Sequence, residues 1–344
     1  MVSPTRTPFL PASDTPTSTT APPTFTPTIT DTPTATPTVT ATPSFQVKLM
    51  AVGDIMLART VGSQLLARGP GIVFAGVQPM LNAADILVGN LECALTTSTD
   101  GQSKSYTFAA PPEAAKALAF AGFDLLSVAN NHAMDFGSQG LSDTKKAVGK
   151  YGIPVVGAGA NIQEAHTPVI LERNGLKVAF LAYANIPDEI TGFDAQSWVA
   201  TASQPGIAWA DPEQMKIDIT AARQKSDVVV VMLHSGFENS TVISTSQRSD
   251  AYAAIDAGAA LVIGSHSHIL QRIEKYHGGL IAFSLGNFVF DDYLGISNAT
   301  IILTVILTRQ GVQSYDYLPV LIVNGLPSIT KINNARGIET LVAP

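Results

Sequence analysis

The run Val228-Val229-Val230-Val231-Met232-Leu233 is unbroken apolar sequence, rich in β-branched residues, and it ends at His234. A run of this length and composition predicts a strand that is buried on both faces, as in the parallel sheet of an α/β protein. A polar side chain directly after such a strand lies at its carboxyl end, which is where α/β sheets bind their ligands. We therefore expect His234 to belong to a functional site.

The same pattern recurs on both sides of this run. Apolar β-type runs alternate with helical patterns, and this alternation predicts a layered α/β core. The last 45 residues carry strand-like runs separated by turns, so we expect an extra β layer or edge strands there. The other predicted strands are Val47–Val52, Ile86–Val88, Leu125–Ala129, Val178–Tyr183, Ala260–Ile263, Leu280–Phe283 and Ala299–Thr308. The predicted helices are Ala58–Ala67, Pro112–Ala121, Ser138–Tyr151, Pro212–Lys225 and Ser246–Ala257.

Side chains of the metal-ligand type follow five of these strands. Carboxylate, imidazole and amide donors together suit divalent Mn, Fe or Zn, and a pair of such metals can polarise a phosphoryl oxygen. A histidine that is not a ligand can protonate a leaving oxygen. The residues that we expect in one crevice are Asp54, Glu92, Asn131, His132, His234, His266 and His268.

Each of these residues also has a structural interpretation. Asp54 and the pair Asn130-Asn131 could be turn formers, and His234 could be a hydrogen-bonded core histidine. His266-x-His268 is a stronger signal, because alternate residues of an extended segment point the same way. His166 and His277 lack such neighbours, and we predict that they lie at the surface.

Gly157-Ala158-Gly159 lacks the third glycine and the acidic partner of a dinucleotide-binding fingerprint. We expect a loop there and no nucleotide cofactor.

The ordered motifs around these residues resemble those of the CapA family, the poly-γ-glutamate capsule synthesis proteins related to calcineurin-like metallophosphatases. The motifs are Gly53-Asp54-Ile55-Met56, Gly89-Asn90-Leu91-Glu92, Asn130-Asn131-His132-Ala133-Met134-Asp135, His234-Ser235-Gly236-Phe237-Glu238, Gly264-Ser265-His266-Ser267-His268 and Ser284-Leu285-Gly286-Asn287-Phe288-Val289-Phe290-Asp291.

The resemblance implies a layered α/β/β/α fold and a role for each matched residue. It implies metal-ligand roles for Asp54, Glu92, Asn131, His234, His266 and His268, and a catalytic-acid role for His132. We expect Asn90, Glu238, Asn287 and Asp291 to contact those ligands without binding metal themselves, and so to orient them.

Two positions depart from the wider superfamily. Met56 stands where the superfamily has the histidine of Asp-x-His, and Glu92 stands where it has a bridging aspartate. One metal site therefore loses an imidazole, and the sequence leaves open whether one metal or two bind.

Residues 1–44 differ in composition from the rest of the chain. They hold ten of its 22 prolines, many threonines and only three charged residues. Such a segment has too little apolar surface to offset the entropy lost on ordering. We predict a disordered Thr/Pro-rich stalk over 1–44 and a single domain over 45–344.

Charge and composition exclude several classes of protein. The net charge of −7 and the absence of a Lys/Arg cluster argue against nucleic acid as a partner. The single cysteine, Cys93, excludes an intrachain disulfide framework. No apolar run reaches the roughly 18 residues of a transmembrane segment.

These observations favour a metal-dependent hydrolase of phosphoesterase type in capsule or poly-γ-glutamate biosynthesis. A non-catalytic assembly or transport factor for an anionic polymer, and a hydrolase of amide bonds, remain alternatives. The partners that we expect are an anionic polymer or phosphoester and other capsule synthesis proteins. The stalk and the resemblance predict an extracytoplasmic or cell-surface location, although no signal peptide is visible in the sequence.

Overall fold

The computed structural model describes residues 45–188, 193–291, 295–329 and 335–342. The stalk predicted over 1–44 lies outside the described residues. In chain order the strands are β1 (Val47–Ile55), β2 (Ile86–Leu91), β3 (Ala94–Leu95), β4 (Ala109–Ala110), β5 (Leu125–Ser127), β6 (Val155–Val156), β7 (Ala158–Gly159), β8 (Val169–Arg173), β9 (Leu176–Asn185), β10 (Gly206–Ile207), β11 (Val228–Ser235), β12 (Leu261–Ser265), β13 (Ile273–Tyr276), β14 (Gly279–Ala282), β15 (Asn287–Val289), β16 (Ala299–Thr308), β17 (Gly311–Val323) and β18 (Leu326–Ile329).

The helices alternate with the strands over most of this length. They are α1 (Arg59–Arg68), α2 (Gln78–Leu81), α3 (Ala115–Ala121), α4 (Gly137–Gly149), α5 (Ile162–Ala165), α6 (Pro212–Arg223), α7 (Thr245–Asp256) and α8 (Ala335–Val342).

Two large sheets carry the fold. The first has the order β18-β17-β16-β1-β2-β5-β6, with β15 paired in parallel to β1. Its strands β1, β2, β5 and β6 run parallel, whereas β16 to β18 add to the edge in antiparallel fashion. The second sheet has the order β13-β14-β12-β11-β9-β8, and its central strands β9, β11, β12 and β14 run parallel. The predicted edge strands at the end of the chain are therefore confirmed.

The residues of β9 show how the layers are arranged. Side chains alternate between the two faces of a strand. Val178, Phe180 and Ala182 pack in one apolar cluster with the core of the first sheet. Ala179, Leu181 and Tyr183 pack instead with Met215 and Ile219 of α6 and with residues of α7.

Helices α1, α3 and α4 contribute Val61, Leu118 and Leu141 to the cluster of the first sheet. The α/β/β/α layering that the resemblance implied is therefore the architecture of the described chain.

Three details differ from the predictions. Residues Pro112–Ala114 form a 3₁₀ turn before α3 rather than the first turn of one α-helix. Ala158–Gly159 is a short strand paired with β10, and not only a loop. Helix α8 ends the described chain in a region that we expected to be poor in helix.

Among the described residues, no helix combines the length and the apolar character that crossing a membrane requires.

Candidate metal centre

Seven side chains predicted from the sequence meet where strands of the two sheets end. Parallel strands bring their carboxyl ends to one edge of a sheet, which explains why residues far apart in sequence converge. All seven are buried, with 8% or less of each residue exposed. They are Asp54 near the end of β1, Glu92 after β2, Asn131 and His132 after β5, His234 in β11, and His266 and His268 after β12. All of them except His132 are called the strand-end cluster below.

Two glycines allow the backbones to approach closely at this edge. A Cβ on Gly53 would lie 1.8 Å from the carbonyl oxygen of Gly286, and one on Gly264 would lie 1.9 Å from that of Phe283. Neither position admits a side chain. Because of this approach, the amide of Asp54 donates to the Gly286 carbonyl at 2.9 Å, which fixes the position of the aspartate.

The first set of potential ligands consists of Glu92, His234 and His266, whose ligand atoms all lie within 4.8 Å of one another. His234 Nε2 is 3.1 Å from His266 Nδ1 and 2.9 Å from the side-chain oxygen of Asn131. Burial lowers the pKa of both histidines well below the ordinary value, and the charge of His268 lowers them further. They are therefore neutral, which is the form that binds metals.

The second set consists of Asp54, Glu92 and His268, again within 4.8 Å. His268 Nδ1 is 3.5 Å from Asp54 Oδ2, and His268 Nε2 is 3.7 Å from Glu92 Oε1. Burial lowers the pKa of His268, but the hydrogen bond and charge of Asp54 outweigh that effect and raise it. Glu92 belongs to both sets and lies between them.

Glu92 provides the test of whether these residues fit a metal. Its side chain is fully buried, and neither carboxylate oxygen has a hydrogen-bond partner among the described residues. Burial first, and then the nearby charge of Asp54, raises its pKa well above the ordinary value. Buried polar groups without partners are rare, since each costs about 1–3 kcal/mol or more. A divalent cation held by these residues would give the carboxylate the partner that it lacks among the described residues, so the cluster could hold a metal ion.

His266 and His268 do not lie on an extended segment, contrary to our expectation. Both adopt left-handed backbone conformations, with φ angles of 90° and 57°. Such conformations cost on the order of 1–3 kcal/mol each and are concentrated at functional sites. The bend still delivers both rings to the cluster, with their centroids 6.1 Å apart.

Neighbouring side chains hold the ligand-type residues in place. Asn287 accepts a hydrogen bond from His268 Nδ1 at 2.8 Å, and Asn90 donates to Asp54 Oδ1 at 2.8 Å. Asn130 supports this arrangement by donating to Asn90 Oδ1 at 3.0 Å. Such partners fix the orientation of metal-binding groups.

Two further residues that we expected behind the ligands have different positions. Glu238 lines the adjoining pocket. Asp291 instead pairs with Arg59 at 2.9 Å and accepts from the amide of Thr60, at the start of α1.

His132 lines a pocket of about 330 Å³ beside the cluster, together with Tyr106, Phe237 and Glu238. Its Nδ1 is 2.7 Å from Asp135 Oδ2, and the Phe108 ring stacks on the imidazole at 4.1 Å between centroids. Burial lowers the pKa of His132, an effect that Asp135 opposes. A neutral imidazole whose Nδ1 is held by Asp135 has Nε2 left for proton transfer.

Met56, at the position of the superfamily's histidine, is fully buried. Its sulfur accepts a hydrogen bond from the amide of Ala58 at 3.2 Å. The second set of potential ligands therefore has no imidazole other than that of His268.

One of the two histidines predicted at the surface is there. His277 has 66% of its side chain exposed. The prediction for His166 is wrong: only 10% of its side chain is exposed, and its Nδ1 lies 2.7 Å from Asp218 Oδ2. The sequence around His166 does not predict this burial, because the partner, Asp218, lies on α6.

Two residues beside His132 had no predicted role: Asp135, and Lys104, whose ammonium lies 3.2 Å from Asp135 Oδ1. The spacing His132-x-x-Asp135 could have predicted the contact of Asp135 with His132. No local sequence pattern predicts the position of Lys104.

Comparisons with known proteins identify the family of the chain. The family described as "Bacterial capsule synthesis protein PGA_cap" matches residues 48–292. The chain is 32% identical over 288 residues to the PGA biosynthesis protein CapA of Bacillus subtilis, covering 83% of this chain and 74% of that one. It is 34% identical over 290 residues to the capsule biosynthesis protein CapA of Bacillus anthracis, covering 82% and 69%.

A crystal structure of a Staphylococcus aureus protein provisionally named a 5′-nucleotidase, in complex with α-ketoglutarate, superposes with a TM-score of 0.50. It is 14% identical and covers 84% of this chain and 55% of that one, so the likeness shows a shared fold and nothing more. From the span of the family match and the identity to these two relatives, the chain belongs to the PGA_cap family of bacterial capsule synthesis proteins.

Proposed function

We infer that this protein is a metal-dependent hydrolase of phosphoesterase type that acts in capsule or poly-γ-glutamate biosynthesis. The observation that carries the proposal is the Glu92 carboxylate, which belongs to both sets of potential ligands and is buried without a hydrogen-bond partner in the part of the chain that the structure describes. A purely structural carboxylate at such a position would be costly.

The chemistry of the donors supports a class of metal for this proposal. Asn131, His234 and His266 with Glu92 would hold one divalent ion, and Asp54 and His268 with Glu92 would hold a second. Mixed nitrogen and oxygen donors favour Mn, Fe or Zn. When bound, such an ion supplies positive charge and Lewis-acid polarisation of a phosphoryl or carbonyl oxygen.

The role of His132 follows from its contacts. Asp135 accepts the hydrogen bond from Nδ1 and thereby fixes the tautomer and the orientation of the ring. With the Nδ1 proton held by Asp135, a neutral ring has no proton on Nε2, so Nε2 first takes one up from solvent. The resulting imidazolium, paired with Asp135, then transfers that proton from Nε2 to the leaving oxygen, a contribution of roughly 10²- to 10⁴-fold to the rate.

The substrate that we propose is a phosphoester or a segment of anionic polymer, handled together with other capsule synthesis proteins. The described residues that line the pocket include Asp188 and Glu238 but no lysine or arginine. The positive charge that an anionic substrate group needs would therefore come from metal ions held by the strand-end cluster. The proposal includes an extracytoplasmic or cell-surface location, which the Thr/Pro-rich composition of residues 1–44 supports.

The test is elemental analysis of the purified chain combined with hydrolysis of p-nitrophenyl phosphate after loading with Mn²⁺, Fe²⁺ or Zn²⁺. We expect bound metal and an activity that falls roughly 10²- to 10⁴-fold in His132→Ala. His166→Ala is the matched control, since His166 is a part-buried histidine with the same Nδ1–aspartate contact, and it should keep the activity. A chain without metal whose activity is unchanged by His132→Ala would contradict the proposal. A parallel assay with γ-glutamyl-p-nitroanilide tests the amide-hydrolase alternative.

A second candidate function is that of a non-catalytic assembly factor for an anionic polymer. The observation that favours it is Met56, which leaves the second set with a single imidazole. Binding of poly-γ-glutamate to Glu92→Ala and His268→Ala separates the two functions. Binding that survives both substitutions, in a chain without hydrolytic activity, supports the assembly factor.

A further inference from the structure

A loop between β3 and β4 packs on the turn that carries Asn131 and His132. The amide of Gln102 donates to the carbonyl oxygen of Asp135 at 2.8 Å, and the amide of Phe108 donates to Asp135 Oδ2 at 2.6 Å. The ring of Phe108 stacks on His132. The loop therefore contacts both His132 and Asp135 of this turn.

Lys104, in the same loop, places a buried ammonium inside this contact. The side chains of Lys104 and Asp135 are both 0% exposed, and Nζ lies 3.2 Å from Asp135 Oδ1. The ammonium also donates to the backbone carbonyl of Asn131 and lies 4.8 Å and 5.0 Å from the ring centroids of Phe193 and Trp198. Burying an ammonium is expensive unless it is paired and hydrogen-bonded, and both conditions hold here.

The two groups that Lys104 contacts are those next to His132. The side-chain oxygen of Asn131 lies 2.9 Å from His234 Nε2, and Asp135 Oδ2 is the partner of His132 Nδ1. One ammonium thus links the backbone of a candidate ligand to the carboxylate that orients the candidate acid. Lys104 is not among the residues that line the pocket.

We propose that Lys104 is a positioning residue, which holds the Asn131–Asp135 turn so that His132 keeps its hydrogen bond to Asp135 and its place beside the strand-end cluster. Lys104 Nζ pairs with Asp135 Oδ1, while Oδ2 of the same carboxylate is the partner of His132 Nδ1, so the ammonium fixes the carboxylate that orients the ring. The part of the inference that concerns catalysis rests on the proposed function, whereas the part that concerns the His132–Asp135 hydrogen bond does not.

The test uses the full chain with ¹⁵N-labelled histidine and the variant Lys104→Met, which keeps the length and the apolar stem of the side chain but removes the charge. In the metal-free wild type we expect a downfield Nδ1–H signal from the hydrogen bond to Asp135, assigned by its loss in His132→Gln. This signal should be lost or strongly shifted in Lys104→Met. Lys145→Met is the matched control, since it removes a lysine from an exposed ion pair with Glu164, and it should leave the signal unchanged.

The metal-loaded forms give the second measurement. We expect kcat for p-nitrophenyl phosphate to fall roughly 10- to 100-fold in Lys104→Met, the range for groups that orient ligands from behind. KM should stay within about twofold, because Lys104 does not line the pocket. Lys104→Arg keeps the charge and should recover part of both readouts. If Lys104→Met fails to fold, Lys104→Gln carries the same expectations.

An unchanged Nδ1–H signal in a folded neutral variant overturns the inference. If the wild type hydrolyses no phosphoester but the signal is lost in Lys104→Met, the proposed function fails and the positioning role stands.

Discussion

Two buried polar clusters in this protein differ in how completely their carboxylate oxygens are hydrogen-bonded. In the cluster around Asp218, Gln214 donates to Oδ1 at 2.8 Å, and the Tyr183 hydroxyl and His166 Nδ1 lie 2.9 Å and 2.7 Å from Oδ2. In the strand-end cluster, neither oxygen of Glu92 has a hydrogen-bond partner among the described residues. Both clusters combine histidine with carboxylate, so residue type does not separate them. The complete hydrogen bonding around Asp218 indicates a structural role, whereas the carboxylate of Glu92, which has no such partner among the described residues, fits a metal-binding role.

The largest expected effect comes from exchanging the two carboxylates for their amides. Glu92→Gln keeps the shape of the side chain but removes the charge shared by both sets of potential ligands. We expect its affinity for Mn²⁺ or Zn²⁺ to fall by more than the roughly 10- to 100-fold that outer partners contribute. Asp218→Asn should bind as the wild type does. Competition against a chromogenic chelator measures both affinities.

Removal of the metal is the control for this difference in metal affinity between Glu92→Gln and Asp218→Asn. A ligand present at 100 times its Kd stabilises the folded state by about 2.7 kcal/mol. A chelator should therefore lower the thermal midpoint of the wild type and of Asp218→Asn but leave that of Glu92→Gln unchanged. Metal binding that persists in Glu92→Gln would remove the distinction between the two clusters.

The sequence predicted the elements that depend on continuous local pattern. The run that ends at His234 and the other apolar runs became strands, because burial on both faces demands unbroken apolar sequence. The strand-end residues came together because parallel strands align their carboxyl ends, a rule that needs no knowledge of the partners.

Contacts between distant segments could not be predicted in this way. Lys104 lies in a loop without periodicity, and only the folded chain brings it to Asp135. His166 looked like a surface residue because Asp218, its partner, lies 52 positions further along the chain. The helical pattern of α8 was likewise overlooked in a region dominated by strands.

A smaller effect is expected on stability when the Asp218 cluster is made incomplete. Asp218→Asn replaces an acceptor oxygen by an NH₂ group, so one of the three donors around it loses its partner. We expect the free energy of unfolding to fall by about 1–3 kcal/mol, and by about 1 kcal/mol for Tyr183→Phe, which removes a single donor. Urea denaturation of the metal-free chains measures both values. Loss of bound metal in either variant would mean that this cluster also supports the metal centre.

The smallest effect concerns Asp250, a buried carboxylate whose side chain accepts a hydrogen bond from Asn185 at 2.6 Å. Its hydrogen bonding is intermediate between that of Asp218, which is complete, and that of Glu92, which has no partner among the described residues. Burial raises its pKa from 3.8 to about 6, and the hydrogen bond from Asn185 only partly opposes that shift. The folded state thus binds the proton more tightly than the unfolded state does. Its contribution to stability is fully present below about pH 4, declines as the pH rises towards 6 and is absent above that.

Asp250→Asn cannot ionise and still accepts the hydrogen bond from Asn185. We therefore expect the variant to be more stable than the wild type at pH 7.5, by at most about 1 kcal/mol because water screens part of the charge. The difference should vanish near pH 4, where Asp250 is protonated in both states. Urea midpoints at the two pH values measure this change. A difference that is the same at both would show that packing, rather than incomplete hydrogen bonding of a buried carboxylate, separates Asp250 from Asp218.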